Sequence, residues 1–268
     1  MARPGVALGG SHFTEAFVLR RINYGEADLI VTLYTRDLGK VSALARSARK
    51  SKRRFGASVG LFAVSTVDLR QRRGSELWIL SSAQLERDFT PLASNLGAVA
   101  HAGYALELVR ELSATEQPDV NLYNLVIELY ETLADIGPTA MALRAFEMRL
   151  LAAIGLSPVL DICVGARSEG GHDLGRGAVL DPDRGGATCS RCATSARGLG
   201  VRPLSDHARR ILVVAQTFDS LADAARSELR GPDAAEARDA SLALLLHYVG
   251  KPLKSVEFMA KMSAGLNS

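Results

Sequence analysis

The sequence contains no apolar stretch that is long enough to cross a membrane. Its 268 residues include no run of about 18 uninterrupted apolar residues, and the first ten residues lack the apolar core of a secretory signal peptide. The chain has only three cysteines, an odd number that does not make a disulfide framework. We therefore expect a cytoplasmic protein in a reducing compartment, with no membrane partner.

Recognisable catalytic motifs give no support for an enzyme. H-E-x-x-H does not occur, and the one G-x-S-x-G string, at residues 56–60, comes directly before a predicted strand and not between a strand and a helix. Gly39 and Lys40 resemble the end of a phosphate-binding loop, but Val41 replaces the required Ser or Thr and Tyr34 stands where the leading Gly belongs. The five histidines are scattered along the chain. Nothing in the sequence argues for catalysis, so we expect a protein that is not an enzyme.

The net charge of +3 conceals an uneven distribution of charge along the chain. The first 90 residues carry 15 basic and 8 acidic side chains, a net +7, and the remainder carries 17 basic and 21 acidic ones, a net −4. A basic section joined to a mildly acidic one indicates one surface for polyanions and another for a different partner. A solvated basic face without a partner accounts for the same counts.

The first third of the chain has the pattern of short β-strands. In one segment Val41, Ala43 and Ala45 alternate with Ser42 and Arg46, which is the period of a half-buried strand. Five such segments within about 75 residues favour a small closed or partly closed barrel, and the OB-fold is the five-stranded candidate. The predicted strands are residues 16–22, 29–35, 40–46, 61–70 and 77–85.

After Pro91 apolar residues recur at helical spacing, except in residues 161–202, which are rich in Gly, Asp and Arg. We expect an α+β multidomain protein with an OB-fold barrel at residues 1–89. An all-α helical domain follows at residues 90–268, with residues 161–202 as an insertion that contains the cysteines. The predicted helices are residues 96–112, 120–133, 205–223, 234–248 and 255–262, and one around Leu143, Phe146 and Leu150.

Residues 40–54 contain seven basic side chains and no acidic one. The segment begins on a predicted strand and continues into a stretch with no apolar period. A basic loop beside a small barrel can contact phosphates repeatedly, and each neutralised phosphate releases counterions, so binding is strong and salt-sensitive. The predicted nucleic-acid contacts are Lys40, Arg46, Arg49, Lys50, Lys52, Arg53 and Arg54.

Aromatic side chains are concentrated in the same part of the chain. Eight of the fifteen lie in the first 90 residues, and proteins that hold single strands use such rings as stacking platforms. Phe17 and Phe62 lie inside apolar runs, so we expect them in the core. Tyr24, Phe55 and Trp78 flank turns or charged stretches and are the stacking candidates.

The three cysteines lie in the Gly-rich insertion. Cys189 and Cys192 form a C-x2-C knuckle, and Cys163 lies 26 residues earlier. A structural zinc site needs four ligands, and Ala166 occupies the position that would complete a first C-x2-C pair. The candidates for the fourth ligand are His172, Asp173 and a water molecule.

Three interpretations of these cysteines remain open. The first is a structural zinc site that stabilises a loop too polar to fold alone. The second is a degenerate site that has lost its metal. A redox C-x-x-C is the third, although the strand–helix context of such motifs is missing.

Several short motifs follow one another in a fixed order. They are AFVLRR at residues 16–21, YGEAD at 24–28, LYT at 33–35, GK at 39–40, ARSARK at 45–50, LSP at 156–158, GG at 185–186 and KPLKS at 251–255. Together they resemble the bacterial RecO family of DNA repair and recombination proteins over nearly the whole chain. The most specific part lies between Tyr24 and Lys50. Ser47 departs from the family, which commonly has Gly there, and Val256 stands where a basic residue is common.

The resemblance implies an N-terminal OB-fold, a helical bundle and a zinc-finger-like insertion. It implies a nucleoid-associated protein that binds single- and double-stranded DNA and anneals complementary strands. Together with RecR, such a protein helps to load the RecA recombinase onto DNA coated by single-strand-binding protein. The matching basic residues would line the DNA face. The family-type zinc site would use Cys163, Cys189 and Cys192.

Two other functions agree with the residues alone. One is an RNA-binding OB-fold module in translation or RNA processing, because RNA and DNA present the same backbone charge. The other is a metalloenzyme centred on the cysteines, which requires a bound metal with an open coordination position.

Overall fold

The computed structural model describes residues 10–51, 54–71, 74–165, 172–175, 177–195, 198, 200–227 and 231–265. Packing divides the chain into two compact units. The first comprises Met1–Val99 and Val109–Val126, and the second comprises Ala100–Leu108 and Ile127–Ser268.

The first unit contains a closed five-stranded barrel, which confirms the predicted architecture. Its strands are β1 (Ser11–Tyr24), β2 (Asp28–Thr35), β3 (Gly39–Ala45), β4 (Ala63–Arg70) and β5 (Trp78–Asp88). They pair in the order β1-β2-β3-β5-β4, and β1 also pairs with β4, which closes the barrel. The pair β3–β5 is parallel and the other paired strands are antiparallel.

Alternating side chains fill the interior of the barrel. In β3, Val41, Ala43 and Ala45 are buried while Ser42 and Leu44 are half-buried, as expected for a strand with one face in the core. Burial of each large aliphatic side chain stabilises the fold by about 1.5–3 kcal/mol. The buried core comprises Ala16, Val18, Leu29, Val31, Leu33, Val41, Ala43, Ala45, Phe55, Val59, Val67, Leu69, Trp78, Leu80 and Ala83.

Phe17 is fully buried, as predicted, but it lies outside this interior cluster. Its ring stacks on Tyr34 with centroids 5.7 Å apart and meets Tyr123 at 5.5 Å. Phe62 is only half-buried, so the expectation of a core position is only partly met.

Strand β1 is longer than predicted and contains an irregularity between Val18 and Arg20, where its register against β2 shifts. An extra residue reverses the faces that the following side chains occupy. Beyond it Arg21 pairs with the core residue Val31, and residues 20–24 are all exposed. The strand therefore presents Arg20 and Arg21 to solvent.

Seven described helices follow the barrel, and each overlaps one of the six predicted helices, with two of the seven falling on the same prediction. In the second unit α3 packs against α4, α5 and α6. None of the helices in the described residues is long and apolar enough to cross a membrane. The helices are α1 (Leu96–Leu112), α2 (Val120–Asp135), α3 (Ala140–Ala153), α4 (Asp206–Thr217), α5 (Leu221–Arg226), α6 (Pro232–Val249) and α7 (Lys254–Gly265).

The helix predicted at residues 205–223 is wrong as a single element, because the chain forms α4 and then α5. Ser205 caps α4 by accepting a hydrogen bond from the Ala208 N–H. Ser220 caps α5 in the same way through the Asp223 N–H. The apolar period runs across the break because both helices bury an apolar face.

The insertion contains a small sheet that the sequence did not predict. Its strands are β6 (Ala178–Asp181), β7 (Gly186–Thr188) and β8 (Arg202–Leu204), in the antiparallel order β7-β6-β8. Strands of three or four residues are too short to show a period of two. The Val164 N–H donates to the Ala187 carbonyl at 2.9 Å, which joins the residues after Cys163 to β7.

Candidate nucleic-acid interface and metal centre

The turn that follows β3, residues 46–51, packs against the turn between β1 and β2. The Ser47 N–H donates to Asp28 Oδ1 at 2.7 Å, and the Arg49 N–H donates to the Ala27 carbonyl at 3.0 Å. The Arg49 guanidinium also donates to the Glu26 carbonyl at 3.1 Å. These bonds hold the basic turn against the exposed end of β1.

Basic side chains from two parts of the chain therefore meet at one end of the barrel. The exposed bases there, which we call the basic surface, are Arg20, Arg21, Arg46, Arg49, Lys50 and Arg54. Arg21 and Arg49 line one cleft together with the core residues Leu29 and Val59. Sequence reasoning missed Arg20 and Arg21 because they lie on a strand, away from the run of seven bases.

Lys40 differs from the other predicted contacts. Its ammonium donates to the carbonyls of Arg110 at 2.6 Å and Ser113 at 2.5 Å, at the end of α1. The last carbonyls of a helix lack intrahelical partners and carry partial negative charge, which a lysine neutralises. We therefore assign Lys40 to the packing of the first unit and leave it out of the basic surface.

The three stacking candidates occupy different environments. Tyr24 is 55% exposed and lies at the end of β1, beside the basic turn. Phe55 and Trp78 are 2% and 3% exposed and belong to the barrel core, so their assignment as stacking platforms is wrong. Turn-flanking positions suggested exposure, but Phe55 packs inward and the Trp78 indole donates to Glu116 Oε1 at 3.1 Å.

Two predicted contacts, Lys52 and Arg53, lie outside the described residues, as does Ala166. Arg54 is described and exposed. Its guanidinium donates to the Arg46 carbonyl at 2.9 Å and to Ser51 Oγ at 3.2 Å, and it lies 5.2 Å from the centre of the Phe55 ring. These contacts fix Arg54 against the turn with part of its charge facing solvent.

In the insertion three cysteines and a histidine converge. One ligand atom from each of Cys163, His172, Cys189 and Cys192 lies within 4.8 Å of the others. His172 Nε2 is 3.1 Å from Cys189 Sγ and 3.8 Å from Cys192 Sγ. The Cys189 N–H also donates to Cys163 Sγ at 3.2 Å.

This donor set fits a zinc ion. Tetrahedral zinc with Zn–S bonds of about 2.3 Å requires its sulfur ligands to lie about 3.8 Å apart, and three thiols with one imidazole is a usual structural set. The packing also requires a glycine, because a Cβ on Gly165 would lie 2.5 Å from the Cys192 Cβ. Of the candidate fourth ligands, the structure brings His172 into the group.

The thiols of the cluster differ in acidity. The hydrogen bond with His172, followed by that with Cys192, lowers the pKa of the Cys189 thiol to about 6. The hydrogen bond with Cys189, together with burial, raises the pKa of Cys192 to about 11. One thiolate surrounded by hydrogen-bonding groups is the electrostatic arrangement that a cation would complete.

Fold and site together define a class: a protein with a closed five-stranded barrel that carries a basic surface, and a helical part that carries a Cys/His cluster of metal-binding type. The family model "Recombination protein O N terminal" matches residues 11–89. The model "Recombination protein O C terminal" matches residues 93–257. The chain therefore belongs to the recombination protein O (RecO) family, as its motifs indicated.

Curated relatives are similar in sequence to this chain over most of their length. The DNA repair protein RecO of Anaeromyxobacter sp. (strain K) is 41% identical over 244 residues, which covers 90% of this chain and 93% of the relative. The DNA repair protein RecO of Myxococcus xanthus (strain DK1622) is 36% identical over 251 residues, covering 92% and 96%. That of Symbiobacterium thermophilum is 34% identical over 252 residues, covering 91% and 95%.

Proposed function

We propose that this protein is a non-enzymatic recombination mediator that binds single- and double-stranded DNA through the basic surface. The observation that carries the proposal is the convergence of Arg20 and Arg21 from β1 with the bases of the turn after β3. Six exposed bases at one end of a small barrel form an electrostatic footprint for a polyanion. Lys52 and Arg53 add to the charge of the same segment.

Such a surface accounts for strand annealing. Contacts to phosphates release counterions from the strand and reduce the repulsion between two strands held near one another. Tyr24, exposed at the end of β1, supplies an aromatic face for an unpaired base. The protein itself needs to make or break no covalent bond in this process.

The partners in the proposal come from the family. Relatives that cover at least 90% of this chain are named DNA repair protein RecO. We accordingly propose RecR, single-strand-binding protein and, indirectly, RecA as partners on DNA, and a nucleoid-associated location in the cytoplasm. The two family models meet between residues 89 and 93, which supports domains at residues 1–89 and 90–268, with the insertion at residues 161–202.

We also propose that the Cys/His cluster is a structural zinc site. Bound zinc would cross-link residues 163, 172, 189 and 192 and so stabilise a segment that has little apolar core of its own. The four ligands come from the protein, so the site leaves no open position for catalysis.

The test of DNA binding is the salt dependence of affinity for single-stranded DNA. The variant replaces Arg46, Arg49 and Lys50 with Gln, and its control replaces Arg226, Arg238 and Lys261, three exposed bases of the second unit. Each lost phosphate contact lowers the slope of log K against log salt by about 0.7. We expect the slope to fall by about 2 in the variant and to stay unchanged in the control.

Equal slopes for the wild type and the basic-turn variant would contradict the proposal. Competition between DNA and RNA oligonucleotides of matched sequence separates DNA binding from the alternative of an RNA-binding module. Equal or stronger competition by RNA would favour that alternative.

A further inference from the structure

A second cleft lies on the outer surface of the barrel, across strands β1, β4 and β5. It differs from the cleft at the basic surface because it combines an exposed aromatic ring with hydroxyl, amide and carboxylate groups. Its lining includes Phe13, Arg54, Asp68, Ser82 and Gln84.

Asp68 has an unusual environment in this cleft. Its position pairs with Phe13 on β1 and with Ser82 on β5, so the three side chains share the outer face of the barrel. The Asp68 side chain is only 9% exposed, and among the described residues its Oδ1 has no hydrogen-bond partner. Arg70 Nη2 approaches Oδ2 at 3.6 Å, which is longer than a hydrogen bond.

A buried oxygen without a donor destabilises the fold because nothing compensates for its lost hydration. An ionised aspartate is an acceptor only, so the group that would relieve this cost is a hydrogen-bond donor. The terminal torsion of aspartate is broad and roughly twofold, so rotation about it can exchange the positions of the two oxygens. A bound ligand with N–H or O–H groups would therefore supply the donor that the Asp68 oxygen lacks.

Phe13 supplies a flat apolar surface beside this acceptor. It is 65% exposed, the highest value among the large apolar side chains described as exposed. Its ring lies between two clefts, since it also lines one with Arg36 on its other side. Phe13 lies before the first predicted strand, and only the longer β1 of the structure places it on the barrel.

Arg54 connects the cleft to the basic surface. It lines the cleft, and its guanidinium donates to the carbonyl of Arg46 in the basic turn. The cleft therefore lies next to the basic turn.

We propose that this cleft is a nucleobase subsite for a base that carries an exocyclic amino group. The base stacks on Phe13, its amino group donates to the Asp68 carboxylate, and Arg54 contacts the flanking phosphate. The proposal rests on the DNA binding proposed above and adds a base preference to it. Cytosine, adenine and guanine present such an amino group, and thymine does not.

Thymine fits this subsite poorly. Its only ring donor, N3–H, lies between two carbonyl oxygens, which the carboxylate repels. A hydrogen bond to a charged group is stronger than one between neutral groups, so we expect oligo(dC) to bind about tenfold more tightly than oligo(dT), a difference of about 1.4 kcal/mol. General backbone contacts at the basic surface do not distinguish these two polymers.

The first experiment compares the affinities of oligo(dC), oligo(dA) and oligo(dT) of about 12 nucleotides, a length suited to one OB-fold. Asp68→Asn keeps the shape of the side chain but adds a donor that can pair with thymine O4. We expect the dC-to-dT ratio to fall from about tenfold to less than about twofold. A ratio near one in the wild type, or an unchanged ratio in Asp68→Asn, overturns the subsite.

The second experiment tests the ring. Phe13→Ala should weaken binding of oligo(dC) at least about fivefold, because stacking on an aromatic contributes about 1–3 kcal/mol per base. Phe13→Trp should retain the wild-type affinity within about twofold. Phe258→Ala removes another exposed phenylalanine, in the second unit, and should have no effect.

Direct contact is measured by photocrosslinking with an oligonucleotide that contains 5-iodocytosine. Crosslinks identified by mass spectrometry should include Phe13 in the wild type, and crosslinks confined to other residues overturn the proposal. If Phe13 and Asp68 variants keep wild-type DNA affinity but lose association with RecR, the cleft is a protein-binding site and the subsite is wrong. A reduced salt slope in the basic-turn variant, together with wild-type affinities and dC-to-dT ratios in the Phe13 and Asp68 variants, would refute the subsite and leave the DNA-binding proposal standing.

Discussion

At the scale of single residues, Ser47 shows how the basic turn is held. Its φ is 55°, in the left-handed region that L-residues other than Gly rarely adopt. Asp28 Oδ1 accepts a hydrogen bond from its N–H, which stabilises this conformation. A residue other than Gly therefore occupies this left-handed position of the basic turn.

We expect Ser47→Gly to stabilise the protein. The left-handed conformation costs a non-glycine residue about 1–2 kcal/mol, and glycine loses about 0.5–1 kcal/mol more backbone entropy on folding. The net gain is about 0.5 kcal/mol, measurable by denaturant unfolding. Ser47→Ala retains the cost and serves as the control. A gain in Ser47→Ala equal to that in Ser47→Gly would show that the backbone conformation is not the cause.

His101 is a residue whose burial makes stability depend on pH. Burial, and secondarily the charge of Arg144, lowers its pKa from 6.5 to about 4. Arg144 is held nearby by an ion pair with the fully buried Glu147, 2.7 Å away. Between about pH 4 and 6.5 the His101 side chain is therefore mostly neutral in the folded state and mostly protonated in the unfolded state.

Each unit of pKa shift corresponds to about 1.4 kcal/mol. We therefore expect the free energy of unfolding to fall by roughly 3 kcal/mol as the pH drops from 6.5 to 4. His101→Gln removes this contribution, so the difference between variant and wild type should depend on pH between 6.5 and 4. His207→Gln, at an exposed position, should run parallel to the wild type. Parallel curves for His101→Gln as well would show that His101 does not titrate in this way.

At the scale of elements, the three-stranded sheet and the Cys/His cluster are joined by backbone hydrogen bonds. Val159 and Val164 make backbone hydrogen bonds with residues of β7 or the turn before it, and the cysteines lie at the ends of these segments. Strands of three or four residues hold few hydrogen bonds. We therefore expect a metal cross-link to contribute much of the stability of this region.

The prediction is about one zinc ion per chain in the purified wild type, measured by plasma mass spectrometry. His172→Ala and Cys192→Ala should lose the metal, and trypsin should then cut the insertion faster. Ser190→Ala, within the knuckle but without a ligand atom, is the control. Full zinc in His172→Ala would mean that another group is the fourth ligand, and a wild type without zinc would favour the degenerate site.

At the scale of the whole molecule, the basic surface and the family membership together predict strand annealing. The protein should accelerate pairing of complementary strands, and the effect should decline with salt because it depends on released counterions. The variant lacking Arg46, Arg49 and Lys50 should anneal at least about tenfold more slowly. The variant lacking Arg226, Arg238 and Lys261 should match the wild type.

A fluorescence-quenching assay with DNA coated by cognate single-strand-binding protein tests the mediator role in the same experiment. We expect annealing to persist on the coated strands. If the protein anneals bare strands but not coated strands, the result supports DNA binding. It contradicts the proposal that the protein recognises single-strand-binding protein.

The sequence by itself determined the five strands, most of the helices and the cysteine knuckle, because each depends on the period or spacing of nearby residues. Short strands β6 to β8 and the break between α4 and α5 were not predictable, since a few residues carry too little periodic signal. The sequence pattern likewise did not predict the register shift in β1, which exposes Arg20 and Arg21.

Only the tertiary structure decided which side chains face solvent. Phe55 and Trp78 have neighbours that suggest exposure, but other segments of the barrel cover them, whereas nothing described covers Phe13 to the same extent. Lys40 belongs to a basic run in the sequence and binds the end of a helix in the fold. His172 became the fourth member of the Cys/His cluster because the chain folds back on itself there. Which side chains are buried, and which of them meet in one site, depends on contacts between segments that are distant in sequence. A local sequence pattern holds no information about such contacts.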